Sequence, residues 1–211
     1  MQALAGKCKI FRSVKTLYVF DFDDTLATTD SRVRVFRDGR LHSTLKPHEY
    51  ATYQKQPEDE VDYSDFANLI DPEAIELTMD TMMSAYERGE HVMILTARGP
   101  SAKGDIHAFL ADNGIELSMR DIVTLNDSNP AAKGAYVARK VIEAGFDSVE
   151  FFDDSAANVR AVYDMVHEVS PATLVASHHV VHEEPGVRGS SVRLKRLIRE
   201  MLAMLPAHNL V

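Results

Sequence analysis

The chain has 211 residues, 45% of them hydrophobic, enough apolar mass for one domain with an insert or for one and a half domains. Its 23 basic and 32 acidic residues give a net charge of −9, which argues against general polyanion binding. The single cysteine, Cys8, excludes an internal disulfide and fits a reducing cytosol. No stretch has the length of a membrane span, and Lys7, Lys9 and Arg12 interrupt the apolar residues of the N-terminus, so a cytoplasmic location away from any membrane is expected.

Residues 1–15 carry no motif and are expected to form a loose leader or a short extra strand. The first strand is expected over Thr16–Phe22, where a short apolar run is bounded by polar residues. At its end, Asp21-Phe22-Asp23-Asp24-Thr25 delivers three carboxylates and a hydroxyl into one small volume. Carboxylates crowded in this way repel one another and lose hydration, so they need a cation or a shared proton. A hard divalent cation that prefers oxygen ligands, such as Mg2+, meets that need. Taken alone, the pentapeptide also fits an acidic turn after a strand.

Residues Ala27–Asp71 differ in character and are expected to be an insertion. Arg32-Val33-Arg34-Val35-Phe36-Arg37 alternates, Asp38-Gly39 is a turn signal, and Arg40-Leu41-His42 resumes, the pattern of a β-hairpin. Charge is unevenly spread here. Ser31–His48 holds five cations (Arg32, Arg34, Arg37, Arg40, Lys46) against Asp38, whereas Gln56–Glu90 holds eleven acids against Arg88. The two blocks either pair with each other or leave the hairpin cations facing an anionic substrate.

Asp71 followed by Pro72 reads as an N-cap and first helical position, with a helix to about Arg88 burying Ile75, Met79, Met82, Met83 and Tyr86. Strands are expected over His91–Thr96, Asp121–Leu125, Ser148–Phe152 and Ala172–Val181. Helices are expected over Ser101–Asn113, Pro130–Ala144 and Ala156–His167, followed by an amphipathic one over Ser190–Met204 with Leu194, Leu197, Ile198, Met201 and Leu202 on its apolar stripe. Strands alternating with helices at this spacing imply an α/β, Rossmann-like parallel sheet with helices on both faces. Such sheets place their sites at the carboxyl ends of the strands. The core is expected to comprise 1–26 and 72–211, with 27–71 as a small cap after the first strand. His178, His179 and His182 cluster, but no second ligand segment is evident, so a surface strand is expected there rather than a zinc site.

Four separated segments supply chemistry at strand ends: Asp21, Asp23 and Thr25; Thr96 with Ala97-Arg98-Gly99; Lys133; and Asp153-Asp154 with Asn158. This set resembles the haloacid dehalogenase (HAD) superfamily of phosphatases and phosphotransferases. F-D-F-D-D-T-L, L-T-A-R-G and F-F-D-D-S-x-x-N are similar to small phage-encoded HAD proteins and to the phosphatase half of polynucleotide kinase-phosphatases. The resemblance implies a Mg2+-dependent phosphatase acting on phosphate monoesters through an aspartyl-phosphate. It makes Asp21 the nucleophile and Asp23 the general acid and base. Thr96 becomes a phosphoryl-oxygen donor, and Lys133 the cation that pairs with the nucleophile and the transferring group. It makes Asp21, the backbone carbonyl of Asp23, Asp153 and Asp154 the metal set, with Asn158 behind them. Arg98 is a candidate for binding a substrate phosphate, and Arg32 and Arg34 for a substrate-facing flap. A short cap favours a large substrate such as a nucleic-acid end; the alternatives are a nucleotide or small-metabolite phosphatase, and a non-catalytic nucleic-acid-binding or regulatory module.

Overall fold

The computed structural model describes residues 13–181. In chain order, β1 (Thr16–Phe20) leads into β2 (Ala27–Thr28), β3 (Val33–Arg37), β4 (Arg40–Leu45), α1 (Pro47–Ala51), β5 (Asp59–Asp62) and β6 (Glu73–Ala74). Then follow α2 (Glu76–Glu87), β7 (His91–Thr96), α3 (Lys103–Asp112), β8 (Ile122–Thr124), α4 (Pro130–Ala144), β9 (Ser148–Asp153), α5 (Ala156–Val169) and β10 (Leu174–His179). Residues 1–12, the expected helix over Ser190–Met204, Cys8 and His182 lie outside the described residues.

The central sheet has the order β10-β9-β1-β7-β8, and every pairing is parallel. Parallel strands are covered on both faces and need apolar residues at successive positions, and these strands have them. Alternate residues feed two cores. Phe20, Val92, Ile94 and Phe152 pack with α2 and α3 through Met79, Met82, Ile106 and Leu110. Val19, Leu95, Val149 and Phe151 pack with α4 and α5 through Val137, Val141, Val162 and Val166. Each fully buried side chain of this size contributes about 1.5–3 kcal/mol. The α/β arrangement read from the sequence is therefore the observed one.

The first strand ends at Phe20, two residues short of the expected Phe22. After Phe20 the chain leaves the sheet. Phe22 turns into the core edge-on to Phe109, with ring centroids 5.5 Å apart. With Phe22 as the anchor, the acids on either side of it remain at the strand tip. Asp24 takes a left-handed conformation (φ 54°) and the turn closes through Leu26 N–H to the Phe22 carbonyl at 2.9 Å.

The helix expected from Pro72 begins only at Glu76. Asp71 is left-handed (φ 43°) and does not cap it. Glu73–Ala74 instead pairs antiparallel with Ala27–Thr28, and Ile75 N–H bonds to the Leu26 carbonyl at 2.8 Å. A two-stranded neck closing the insertion overrides the local Asp-Pro signal.

Within the insertion, β4-β3-β5 form an antiparallel sheet. The Asp38-Gly39 turn has φ of 50° and 69°, the pair of positive values that a two-residue hairpin of type I′ requires. The opposite charge blocks pair. Arg34 makes a two-pronged contact with Asp65 (2.8 and 3.0 Å), and Arg37 donates to Asp59 at 2.9 Å. Asp59 also accepts from the Tyr53 hydroxyl and the Gln56 amide, each at 2.8 Å. Burial alone would raise the Asp59 pKa, but the Gln56 amide, Tyr53 and Arg37 outweigh it and hold the carboxyl at about 2. A depressed carboxylate stabilises the fold above its unfolded pKa of about 3.9 and loses that contribution as pH falls through the folded value. Asp59→Asn is therefore expected to speed amide exchange in β5 at pH 7, with the gap from wild type closing between about pH 4 and pH 2. A gap unchanged across that range would contradict the ion pair's role.

Candidate active site

The tips of β1, β7 and β9 lie side by side, because β1 pairs with both of the others. Asp21 leaves β1 with its N–H on the Phe152 carbonyl at 2.9 Å, so its backbone is held to the last turn of the sheet. One carboxylate oxygen each from Asp21, Asp153 and Asp154 lies within 4.8 Å of the others. Lys133 Nζ sits between two of them, 2.9 Å from Asp21 Oδ1 and 2.7 Å from Asp153 Oδ2.

Lys133 arrives from the first turns of α4, whose N-cap Asn129 accepts from the Ala131 amide at 3.0 Å. Gly134 follows it. A Cβ there would lie 2.8 Å from the Ala161 carbonyl oxygen, so the missing side chain lets α4 rest against α5. That contact sets Lys133 beside the β9–α5 loop. Lys133 is 2% exposed, and its ammonium is committed to the two acids.

Asp153 is 0% exposed. Its Oδ1 accepts from the Ser155 amide and from Asn158 Nδ2, both at 2.9 Å, while Oδ2 takes Lys133. Asp154 is pinned through its backbone. Its N–H donates to Thr25 Oγ1 at 3.0 Å, and its carbonyl accepts from His179 Nε2 at 2.8 Å. Thr25 therefore ties the first acidic loop to the last, and its own carbonyl accepts from the Thr78 hydroxyl of α2.

The electrostatics of this cluster are unbalanced. Burial pushes the Asp21 pKa well up; Lys133 opposes the rise, while Asp153, Asp154 and Asp23 add to it. Asp154 is pushed up to about 7, by burial first and then by Asp153 and Asp24, against Lys133. Burial acts against the charged form of Lys133, but Asp21 and Asp153 overcome it and keep the ammonium protonated. Three carboxylates against one ammonium leave two negative charges when all are ionised. A divalent cation with oxygen ligands fits that donor set and that charge. Because both Asp153 oxygens are already engaged, Asp21 and Asp154 are the better placed direct ligands.

Asp23 stands apart from this triad. Its oxygens are both 2.8 Å from Arg98, one from Nε and one from Nη2. Its carboxylate is thus not part of the acidic cluster, which leaves only its backbone carbonyl for the metal role expected of it. Thr96 ends β7 almost fully buried, with Oγ1 accepting the Arg98 N–H at 3.2 Å.

The arginines expected to meet substrate are placed otherwise. Arg98 is 3% exposed and spends its guanidinium on Asp23 and on the insertion. Arg32 pairs with Asp30 at 3.1 Å, and Arg34 with Asp65 and Asp62. The sequence shows these cations but not their partners: Asp30 lies two residues from Arg32, whereas those of Arg34 and Arg98 come from segments tens of residues away.

His179 on the Asp154 carbonyl and Thr25 on the Asp154 amide were not legible as a clamp. The register that sets His179 opposite Asp153 is a property of the β9–β10 pairing. His178 points to the other face, stacked on Phe152 with centroids 4.2 Å apart and paired with Glu150 at 2.6 Å. Among the described residues no helix is long and apolar enough to cross a membrane. Comparison of the chain with family models, with curated proteins and with solved structures returns no match.

Proposed function

We propose that this chain is a Mg2+-dependent phosphomonoesterase of the HAD type, working through an aspartyl-phosphate on Asp21. The observation that carries the reading is Lys133 bridging Asp21 and Asp153 beside Asp154 at the carboxyl ends of β1 and β9. A phosphoryl group accepts an anionic nucleophile only when its own negative charge is neutralised. Asp21, Asp154 and the Asp23 carbonyl would hold Mg2+, with Asp153 behind them, and the ion would supply part of that neutralisation. Lys133 supplies the rest from the protein.

Asp21 attacks phosphorus, and the bond to the leaving oxygen breaks as Asp23 hands that oxygen a proton. Asp23, now a carboxylate, takes a proton from water as the water attacks the aspartyl-phosphate. Phosphate leaves, Asp21 is regenerated and Asp23 is again protonated. The Thr96 hydroxyl, at the tip of β7, is the donor this reading assigns to a phosphoryl oxygen.

One observation bears on substrate size. Arg34 and Arg37 are neutralised within the insertion by Asp65 and Asp59. That favours a nucleotide or small metabolite over a nucleic-acid end, and leaves only Arg40 and Lys46 as exposed cations of the basic block. The test is turnover of a generic aryl phosphate with and without Mg2+, followed by nucleotides, sugar phosphates and 3′- or 5′-phosphorylated oligonucleotides. No turnover of any of these would leave a non-catalytic module. Preference for the oligonucleotides would restore the polymer substrate. Asp154→Ala is expected to weaken Mg2+ binding by at least about tenfold in calorimetric titration. Equal affinity in the two proteins would remove Asp154 from the ligand set.

A further inference from the structure

Arginine carries five N–H donors in a planar fork, and in Arg98 every one ends on a protein acceptor. Nε and Nη2 take the two oxygens of Asp23, both at 2.8 Å. Nη1 donates to the carbonyls of Asn68 (2.7 Å) and Phe66 (3.3 Å). Nη2 also reaches the hydroxyls of Ser31 (3.0 Å) and Thr29 (3.2 Å). The guanidinium lies 4.9 Å from the Phe66 ring centroid. Apart from Asp23, every side-chain partner belongs to the insertion. One further tie between insertion and core, Leu69 N–H to Asp105 Oδ2 at 3.0 Å, runs beside it.

We propose that Arg98 is a positioning residue that fastens the cap to Asp23, so that the cap's seat against the strand tips sets the orientation of the one carboxyl that must exchange protons. The proposal rests on the phosphatase reading above. It follows from the donor count: while Arg98 holds Asp23 it has no N–H left for a substrate phosphate. A fork is needed because two parallel hydrogen bonds fix the plane of a carboxylate, whereas a single ammonium fixes only its distance.

Arg98→Lys keeps the charge and loses the fork. With aryl phosphate and Mg2+, kcat is expected to fall by about 10²-fold, the scale of a misplaced proton donor, with KM within about twofold of wild type. Amide exchange gives a readout independent of turnover. The Asp30, Arg32 and Leu69 amides, held by Ile70, Asp65 and Asp105, should exchange faster in Arg98→Lys. They should also exchange faster in Asp23→Asn, since the same link is weakened from its other end. The double variant should turn over no more slowly than the slower single. Should Arg98→Lys fold poorly, Ser31→Ala removes one cap contact and is expected to lower kcat a few-fold at unchanged KM.

A rise in KM with kcat preserved would mean that Arg98 binds substrate, and would overturn the proposal. Faster exchange with both constants preserved would make it a structural tie only, and would overturn it equally. Asp21→Asn separates the two levels. If that variant still turns over, the assignment of the attack to Asp21 fails on its own, while the exchange coupling between Arg98 and Asp23 still reports on the latch.

Discussion

Asp21→Asn is expected to lower phosphomonoester turnover by about 10⁴-fold or more, the scale on which loss of an attacking side chain is felt, without loss of the fold. Asparagine keeps the shape of the side chain and can still accept from Lys133, but a neutral amide does not attack phosphorus. The backbone anchor, Asp21 N–H on the Phe152 carbonyl, does not depend on the side chain. Burial already opposes ionisation of this carboxyl, so replacing it removes an unfavourable charge. The melting temperature of the metal-free variant should therefore match or exceed that of wild type. Rapid quench of wild type with phosphate-labelled substrate should leave label on the chain, and the variant should carry none. Turnover within tenfold of wild type, or label retained on the variant, would move the attacking group elsewhere.

What could be read from the sequence divides along a physical line. The parallel sheet was legible because each strand is a short apolar run whose both faces must be covered, and the bounds of His91–Thr96 and Pro130–Ala144 agree with the structure to the residue. The acidic triad was legible because Asp21 and Asp153-Asp154 sit at the ends of strands that a parallel sheet must align. The start of α2 was not, because Asp71-Pro72 is a good local signal that competes with a ladder between residues 27–28 and 73–74, close in space but far apart in sequence. The fate of the arginines was hidden for the same reason. Whether Arg34 or Arg98 faces a ligand depends on where Asp65, Phe66 and Asn68 come to lie, and nothing local to an arginine encodes that. Patterns of period two and 3.6 report what a segment buries; they do not report which loop carbonyl or carboxylate will meet a given cation.

Lys133→Met is expected to be the most destabilising single change at the site, by about 3–5 kcal/mol in the absence of divalent cation, because it leaves buried carboxylates without their partner. Methionine matches the length of the lysine stem and packs where α4 meets α5, so the loss is one of charge rather than of volume. Asp21 and Asp153, 2.9 and 2.7 Å from the missing ammonium, would then face each other with both side chains largely buried. Three remedies should each recover part of the stability, and each for a stated reason. Mg2+ supplies a replacement charge, so the melting temperature of the variant should rise more steeply with Mg2+ than that of wild type. Acid protonates Asp21, whose folded pKa is already raised, so the deficit should shrink as pH falls through that value. Asp153→Asn in the same chain removes one of the repelling charges, and the double variant should be more stable than Lys133→Met alone. Turnover should remain lost by about 10²–10³-fold even at saturating Mg2+, because the ion cannot also stand where the ammonium neutralises the transferring group. Thermal melts of the three proteins with and without Mg2+ decide the matter: a Lys133→Met chain as stable as wild type, or one indifferent to the ion, would mean that Lys133 does not hold these acids together.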